Sequence, residues 1–127
     1  MGPGMAKKKI LVIEDEQDVA KLLVIRLKSF NYEVVVADSG IQGVQLAHKE
    51  KPDLIILDLM LPAGDGLSVL NNLRLSSYLR FTPVIVLTGM KDEEYKKKVM
   101  EKGVDGYFEK PYDANQLLNS IKTLIPE

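Results

Sequence analysis

Three short apolar runs in this chain end on residues that can do chemistry. Ile10-Leu11-Val12-Ile13 leads into Glu14 and Asp15, Leu54-Ile55-Ile56-Leu57 into Asp58, and Val84-Ile85-Val86-Leu87 into Thr88. A weaker run, Val104 to Phe108, is followed two residues later by Lys110. If these runs are neighbouring strands of a parallel sheet, their exits share one edge, where ligands of such sheets bind. The edge then gathers three carboxylates, a hydroxyl and an ammonium. Carboxylates about 4 Å apart repel by about 4 kcal/mol per pair even at an effective dielectric near 20. A hard divalent cation with oxygen ligands relieves that repulsion. Mg²⁺ is commonly held by one or two carboxylates while it keeps several waters. A site with Mg²⁺, a lysine and a hydroxyl suits a phosphoryl group, whose transfer depends on positioning and charge neutralisation. Carboxylates also serve as nucleophiles in aspartyl-phosphate chemistry. Asp58 fits that role because it stands alone at its strand exit, whereas Glu14 and Asp15 are paired like metal ligands.

The elements that must position these groups are legible in the periodicity. The runs Ile10–Ile13, Val34–Ala37, Leu54–Leu57 and Val84–Leu87 do not alternate with polar residues. Such runs read as strands covered on both faces. Val104–Phe108 reads as a fifth strand at an edge. Between the runs the period turns helical. Val19, Leu22, Leu23, Leu27 and Phe30 share one predicted face, as do Leu67, Leu70 and Leu73. Ala114, Leu117, Leu118, Ile121, Leu124 and Ile125 share another. Ser39 with Gln42, and Asp113 with Gln116, read as helix N-terminal boxes. Gly103 suits the left-handed residue past a helix end. Pro52, Pro62, Pro83 and Pro111 sit at strand edges, where a missing N–H costs least. The stretch Asp92–Lys102 has few apolar anchors, which predicts a loosely held, exposed helix around Tyr95, Val99 and Met100. The alternation of strand and helix predicts an α/β, doubly wound sheet with helices on both faces.

Composition bounds what else the chain can be. Its 127 residues suit one domain. The formal net charge of -1 provides no basic footprint for nucleic acid. With no cysteine there is no disulfide, zinc-thiolate site or cysteine nucleophile, and the single His48, to which no role is assigned, builds no histidine metal cluster. No apolar run exceeds four residues, too few for a membrane-spanning helix. Five lysines and four acids between Lys91 and Lys102 net only +1, the balance of a solvated helix face. Residues 1–4, "MGPG", read as a cloning scar, and residues 5–127 as the domain.

The order "IED", "DLMLPAGDG", "LTG" and "YFEKP" at successive strand ends resembles the receiver domain of two-component response regulators, chemotaxis receivers included. The likeness spans roughly residues 7 to 125, and four ordered motifs make it specific where each alone is weak. It implies a flavodoxin-like five-stranded sheet in the order 2-1-3-4-5. It implies that Asp58 accepts a phosphoryl group from a histidine kinase or phosphotransfer protein. Asp15, Asp58 and the backbone carbonyl of Met60 would bind Mg²⁺ directly, and Glu14 through water. Thr88 and Lys110 would contact the phosphoryl oxygens. The Lys110-Pro111 bond is often cis in such domains. Tyr107 matches an aromatic that turns inward as Thr88 shifts. The fourth helix, fifth strand and fifth helix would present the output face to an effector or fused output domain. The resemblance leaves phosphorylation-driven dimerisation open. It further implies a cytoplasmic protein with no direct nucleic-acid or membrane contact and no turnover of an external substrate. Two departures stand out. Glu14 replaces the more frequent Asp, lengthening that arm by one methylene, and Gly89 stands where Ala or Ser is frequent.

Plainer roles exist for each residue. Asp58 alone could cap a turn, Glu14-Asp15 could be the acidic start of a helix, Lys110 could be solvated, and Tyr107 could be a packed edge aromatic. Two other functions are the alternatives. One is a Mg²⁺-dependent aspartyl-phosphate phosphohydrolase of the haloacid dehalogenase type. That type typically needs an Asp two residues after the nucleophile, where this chain has Met60, and usually carries a cap domain. The other is a degenerate receiver used only for docking.

Overall fold

A computed structural model describes residues 6–61 and 66–126. Residues 1–4, read as a cloning scar, lie outside it, as does Pro62. Strands and helices alternate from end to end: β1 (Lys9–Ile13), α1 (Gln17–Ser29), β2 (Glu33–Ala37), α2 (Gly40–Glu50), β3 (Leu54–Asp58), α3 (Gly66–Leu75), β4 (Val84–Thr88), α4 (Glu93–Glu101), β5 (Gly106–Glu109) and α5 (Ala114–Leu124). The strands form one parallel sheet in the order β2-β1-β3-β4-β5. This is the expected doubly wound, flavodoxin-like architecture.

The unbroken apolar runs are explained by two cores. On one face, Leu11, Ile13, Ile55, Leu57, Val84 and Val86 pack with side chains from α2, α3 and α4. On the other, Ile10, Val12, Leu54, Ile56, Ile85 and Leu87 pack with α1 and α5. Alternate residues of each strand thus meet opposite helical layers, so beyond Lys9 at the start of β1 every position of β1, β3 and β4 is buried. At about 25 cal/mol per Å² of apolar area removed from water, these central strands contribute much of the driving force for folding.

Helix boundaries follow local chemistry. The Ser39 hydroxyl accepts from Gln42 N–H, while the Gln42 side chain reaches the Asp38 N–H, one residue earlier than a reciprocal box requires. Asp113 caps α5 by accepting from Asn115 and Gln116 N–H. Asp92 caps α4 in the same way, a role that periodicity alone did not reveal. Gly103 adopts φ 84° just past α4, as its position predicted.

Three expectations need correction. The buried face of α1 is Ala20, Leu23 and Leu27, with Leu22 68% and Phe30 41% exposed. At 100° per residue, Leu22 turns well away from the Ala20–Leu23–Leu27 stripe, and Phe30 has left the helix. The fifth strand begins at Gly106 rather than Val104 and runs to Glu109, on the sheet edge as expected. Leu67 and Leu124 are only partly buried. The prediction for α4 matches: Val99 is its one buried residue, and Tyr95 is half-buried.

Candidate functional site

The carboxyl-end edge of the sheet brings the acids together. Glu14 follows β1 directly and is held there by its N–H to the Ala37 carbonyl (3.0 Å). Asp58 is the last residue of β3, in register with Leu87 of β4. Carboxylate oxygens of Glu14, Asp15 and Asp58 all lie within 4.8 Å of one another. Glu14 and Asp58 are buried, and Asp15 is half-buried.

Among the described residues, one cation serves this cluster. Lys110 Nζ donates to Glu14 Oε1 and to Asp58 Oδ2, each at 3.2 Å. Its backbone N–H is bonded to the Thr88 carbonyl at 2.8 Å, and the Lys110-Pro111 peptide is cis. The other oxygens of the two buried acids are met by backbone. Met60 N–H donates to Asp58 Oδ1 at 2.9 Å, and Glu16 N–H donates to Glu14 Oε2 at 3.3 Å. Asp15 makes no hydrogen bond or ion pair with any described residue. Three acids against one ammonium leave an excess of negative charge.

The acid–base equilibria follow from the same crowding. Burial pushes the Glu14 carboxyl up to about 7, with Asp58 adding to the rise and Lys110 opposing it. Burial alone would lower the Lys110 ammonium, but the Asp58 and Glu14 carboxylates outweigh it and the net shift is upward. Desolvation disfavours each charged form, and only opposite charge nearby restores it.

The donor set fits a hard divalent ion. It consists of oxygens alone, it carries excess negative charge, and Asp15 has no competing partner. Glu14, Asp15 and Asp58 could hold such an ion.

The remaining expected residues divide into two groups. Thr88 is buried at the end of β4, one residue past the register partner of Asp58, and its Oγ1 accepts from Met90 N–H at 3.0 Å. Met60 leaves the site with its side chain 52% exposed. Tyr107 is not drawn into the acidic cluster. It is half-buried in β5 opposite Val86, packs against the core, and has the Lys96 ammonium 5.1 Å from its ring centroid. Sequence reasoning missed Tyr112. This half-buried phenol packs in the core shared with α1 and α5; burial raises its pKa, and Arg26 and Lys110 pull it down. The only local signal for it was an aromatic directly after Lys110-Pro111.

A doubly wound sheet with buried acids and a lysine at its carboxyl edge defines a class of α/β domain with an acidic pocket where its strands end. Comparison with known proteins narrows it. Residues 10–122 match the model of the response regulator receiver domain. The alkaline phosphatase synthesis transcriptional regulatory protein PhoP of Bacillus subtilis is 40% identical over 119 residues, which are 93% of this chain and 48% of that protein. The DNA-binding dual master transcriptional regulator RpaA of Synechocystis is 37% identical over 117 residues, 92% of this chain and 48% of that protein. Among solved structures, the magnesium-bound receiver domain of the Pseudomonas aeruginosa sensor histidine kinase PA1611 superposes with TM-score 0.86 at 28% identity, covering 96% of this chain and 100% of that one. The Vibrio cholerae chemotaxis response regulator CheY4 superposes with TM-score 0.86 at 27% identity, covering 94% of this chain and 100% of that one. The chain belongs to the response regulator receiver domain family of two-component signal transduction.

The chain spans about half the length of the curated relatives it matches. The expected absence of a nucleic-acid partner finds no support in them, since the Synechocystis relative is a DNA-binding regulator. Among the described residues, no helix is long and apolar enough to cross a membrane.

Proposed function

We propose that the chain is a phosphoacceptor switch in which Asp58 takes a phosphoryl group from a phosphohistidine on a kinase or phosphotransfer partner. The observation that carries this reading is the convergence of Glu14, Asp15 and Lys110 on the buried Asp58 carboxylate. An Asp58 oxygen attacks phosphorus, the P–N bond breaks with its electron pair passing to the ring nitrogen, and a phosphohistidine protonated on its other ring nitrogen leaves as neutral imidazole. Asp15, Asp58 and the Met60 carbonyl would hold Mg²⁺ directly and Glu14 through water; when bound, the ion offsets the charge of the carboxylates and the incoming phosphoryl group. Lys110 is already bonded to Asp58 Oδ2 and would turn to a phosphoryl oxygen. Thr88 would exchange its Met90 N–H bond for one to the phosphoryl group.

The Thr88 side of the sheet would carry the signal outward to α4, β5 and α5, with Tyr107 following. A helix with Val99 as its one buried residue is readily biased by a few kcal/mol. That face would meet an effector or a fused output domain, in a cytoplasmic protein. The protein would promote its own phosphorylation and dephosphorylation without turning over an external substrate. Incubation with Mg²⁺ and acetyl phosphate tests this by intact mass. A single phosphoryl adduct that disappears in Asp58→Asn is expected. No adduct, or one that survives the substitution, overturns the reading.

A further inference from the structure

The segment between α3 and β4 lies at the end of the sheet opposite Asp58. Leu75, Tyr78 and Phe81 there are 84%, 80% and 85% exposed. Three such exposed apolar groups within one seven-residue segment make a candidate interaction site.

The backbone beneath them is pinned. Arg74 donates to the carbonyls of Arg80 (3.1 Å), Thr82 (2.8 Å) and Gly103 (2.9 Å). Leu79 is a buried anchor, and the N–H groups of Leu79 and Arg80 both return to the Ser76 carbonyl. Ser76 Oγ lies 3.0 Å from His48 Nε2, which ties the segment to α2. A slack loop could fold its apolar groups away, but a segment fixed in this way holds them in water. It also gives up little conformational freedom when a partner arrives.

Two cations, Lys51 and Arg80, stand beside these side chains without an ion-pair partner among the described residues. Lys51 and His48 line a small cavity with Tyr78 and Leu79, and the Arg80 guanidinium lies 5.0 Å from the Phe81 ring centroid. Neither Lys51 nor Arg80 forms an ion pair with a described residue, while Asp105 is already engaged by Arg74 and by Val84 N–H. Aromatic side chains with arginine at the border are the composition of interface cores.

We propose that this surface docks an acidic, amphipathic segment of another protein. Its apolar side chains would seat on Leu75, Tyr78 and Phe81, and its carboxylates would face Lys51 and Arg80. A second copy of the chain fits less well, because a two-fold contact would press these cations against their own copies.

The test uses the ¹⁵N-labelled chain and two synthetic helical peptides. One carries leucine and phenylalanine on one face and glutamate on the other; its counterpart has lysine for every glutamate. The glutamate peptide is expected to shift amides within 48–51 and 75–82 and to bind roughly 10-fold tighter than the lysine peptide. Arg80→Glu should remove that preference. Tyr78→Ser with Phe81→Ser should weaken binding roughly 10-fold, with phosphorylation of Asp58 unchanged. Four results would each overturn the proposal. They are no shift in those segments, equal binding of both peptides, the same shifts with phosphatidylglycerol vesicles alone, and sedimentation showing self-association through 75–82.

Discussion

Lys110 Nζ lies 3.2 Å from Asp58 Oδ2, although 52 residues separate the two in the chain. The same ammonium holds Glu14, so one side chain links the exits of β1, β3 and β5. Removing one partner from a buried charge group leaves the others uncompensated. Lys110→Ala should therefore lower the stability of the metal-free protein by about 1–3 kcal/mol. Mg²⁺ should restore part of that loss, because it can take over the neutralisation. Transfer to Asp58 should slow by roughly 10²-fold, the typical cost of deleting one preorganised charge at a reacting centre. Denaturant titration with and without Mg²⁺, alongside the acetyl phosphate rate, checks both parts. A rate within twofold of the parent would remove Lys110 from the chemistry.

The raised Glu14 carboxyl makes a pH prediction with a definite sign. Pushed up to about 7 in the fold, it lies above the ordinary glutamate value of 4.5, so between these values the folded state binds more proton than the unfolded state. Stability contributed by this group is present below pH 4.5 and is lost as pH rises through about 7. In chelator, the melting temperature should fall from pH 5 to pH 8, and Glu14→Gln should flatten that slope. Mg²⁺ affinity should move the opposite way, rising with pH as the proton leaves. A chelated protein whose melting temperature climbs steadily over this range would contradict the assignment.

Much of this site was readable before any coordinates. Glu14, Asp15, Asp58 and Lys110 all stand just beyond apolar runs, and a parallel sheet sends such exits to one edge. The strand order itself came from family resemblance, since local sequence does not say which strands pair. The α1 face was misjudged because Leu22 and Phe30 are apolar but face water, and hydrophobicity alone does not separate core from surface. Tyr107 was placed by motif, while its contacts with Lys96 and the core depend on how α4 packs. Arg74 gave no sequence signal. Its role depends on four backbone carbonyls, those of Leu79, Arg80, Thr82 and Gly103, that only the folded chain assembles.

Arg74 supports the next prediction. Its planar guanidinium donates through Nε to Gly103 and through Nη1 to Arg80 and Thr82, so it bridges α3, the turn before β4 and the end of α4. Burial lowers its pKa and Asp105 opposes that shift, as expected for a cation drawn partly out of water. Arg74→Ala should cost about 2–4 kcal/mol, from the lost charged hydrogen bonds and the carbonyls left without a donor. Arg74→Lys should recover less than half of that, since an ammonium cannot reproduce the fork. Denaturation midpoints of the two variants decide the matter. Equal stability of the lysine variant and the parent would mean that charge, not geometry, holds the segment.

Gly66 opens α3, where helix propensity argues for alanine. Gly to Ala within a helix ordinarily gains about 0.5–1 kcal/mol. Here a Cβ would overlap the backbone of Leu59, the residue that follows Asp58. Leu59 N–H is bonded to the Leu87 carbonyl at 3.0 Å, so the strand end cannot yield without disturbing β4. Gly66→Ala should therefore destabilise by about 1–3 kcal/mol, the usual range for an overpacked site. It should also slow phosphorylation, because any retreat of Leu59 carries with it Asp58 and the Met60 N–H that orients its carboxylate. Unfolding measurements and the acetyl phosphate rate should fall together. An alanine variant that is more stable than the parent would show that the close approach of α3 to the end of β3 does not constrain the site.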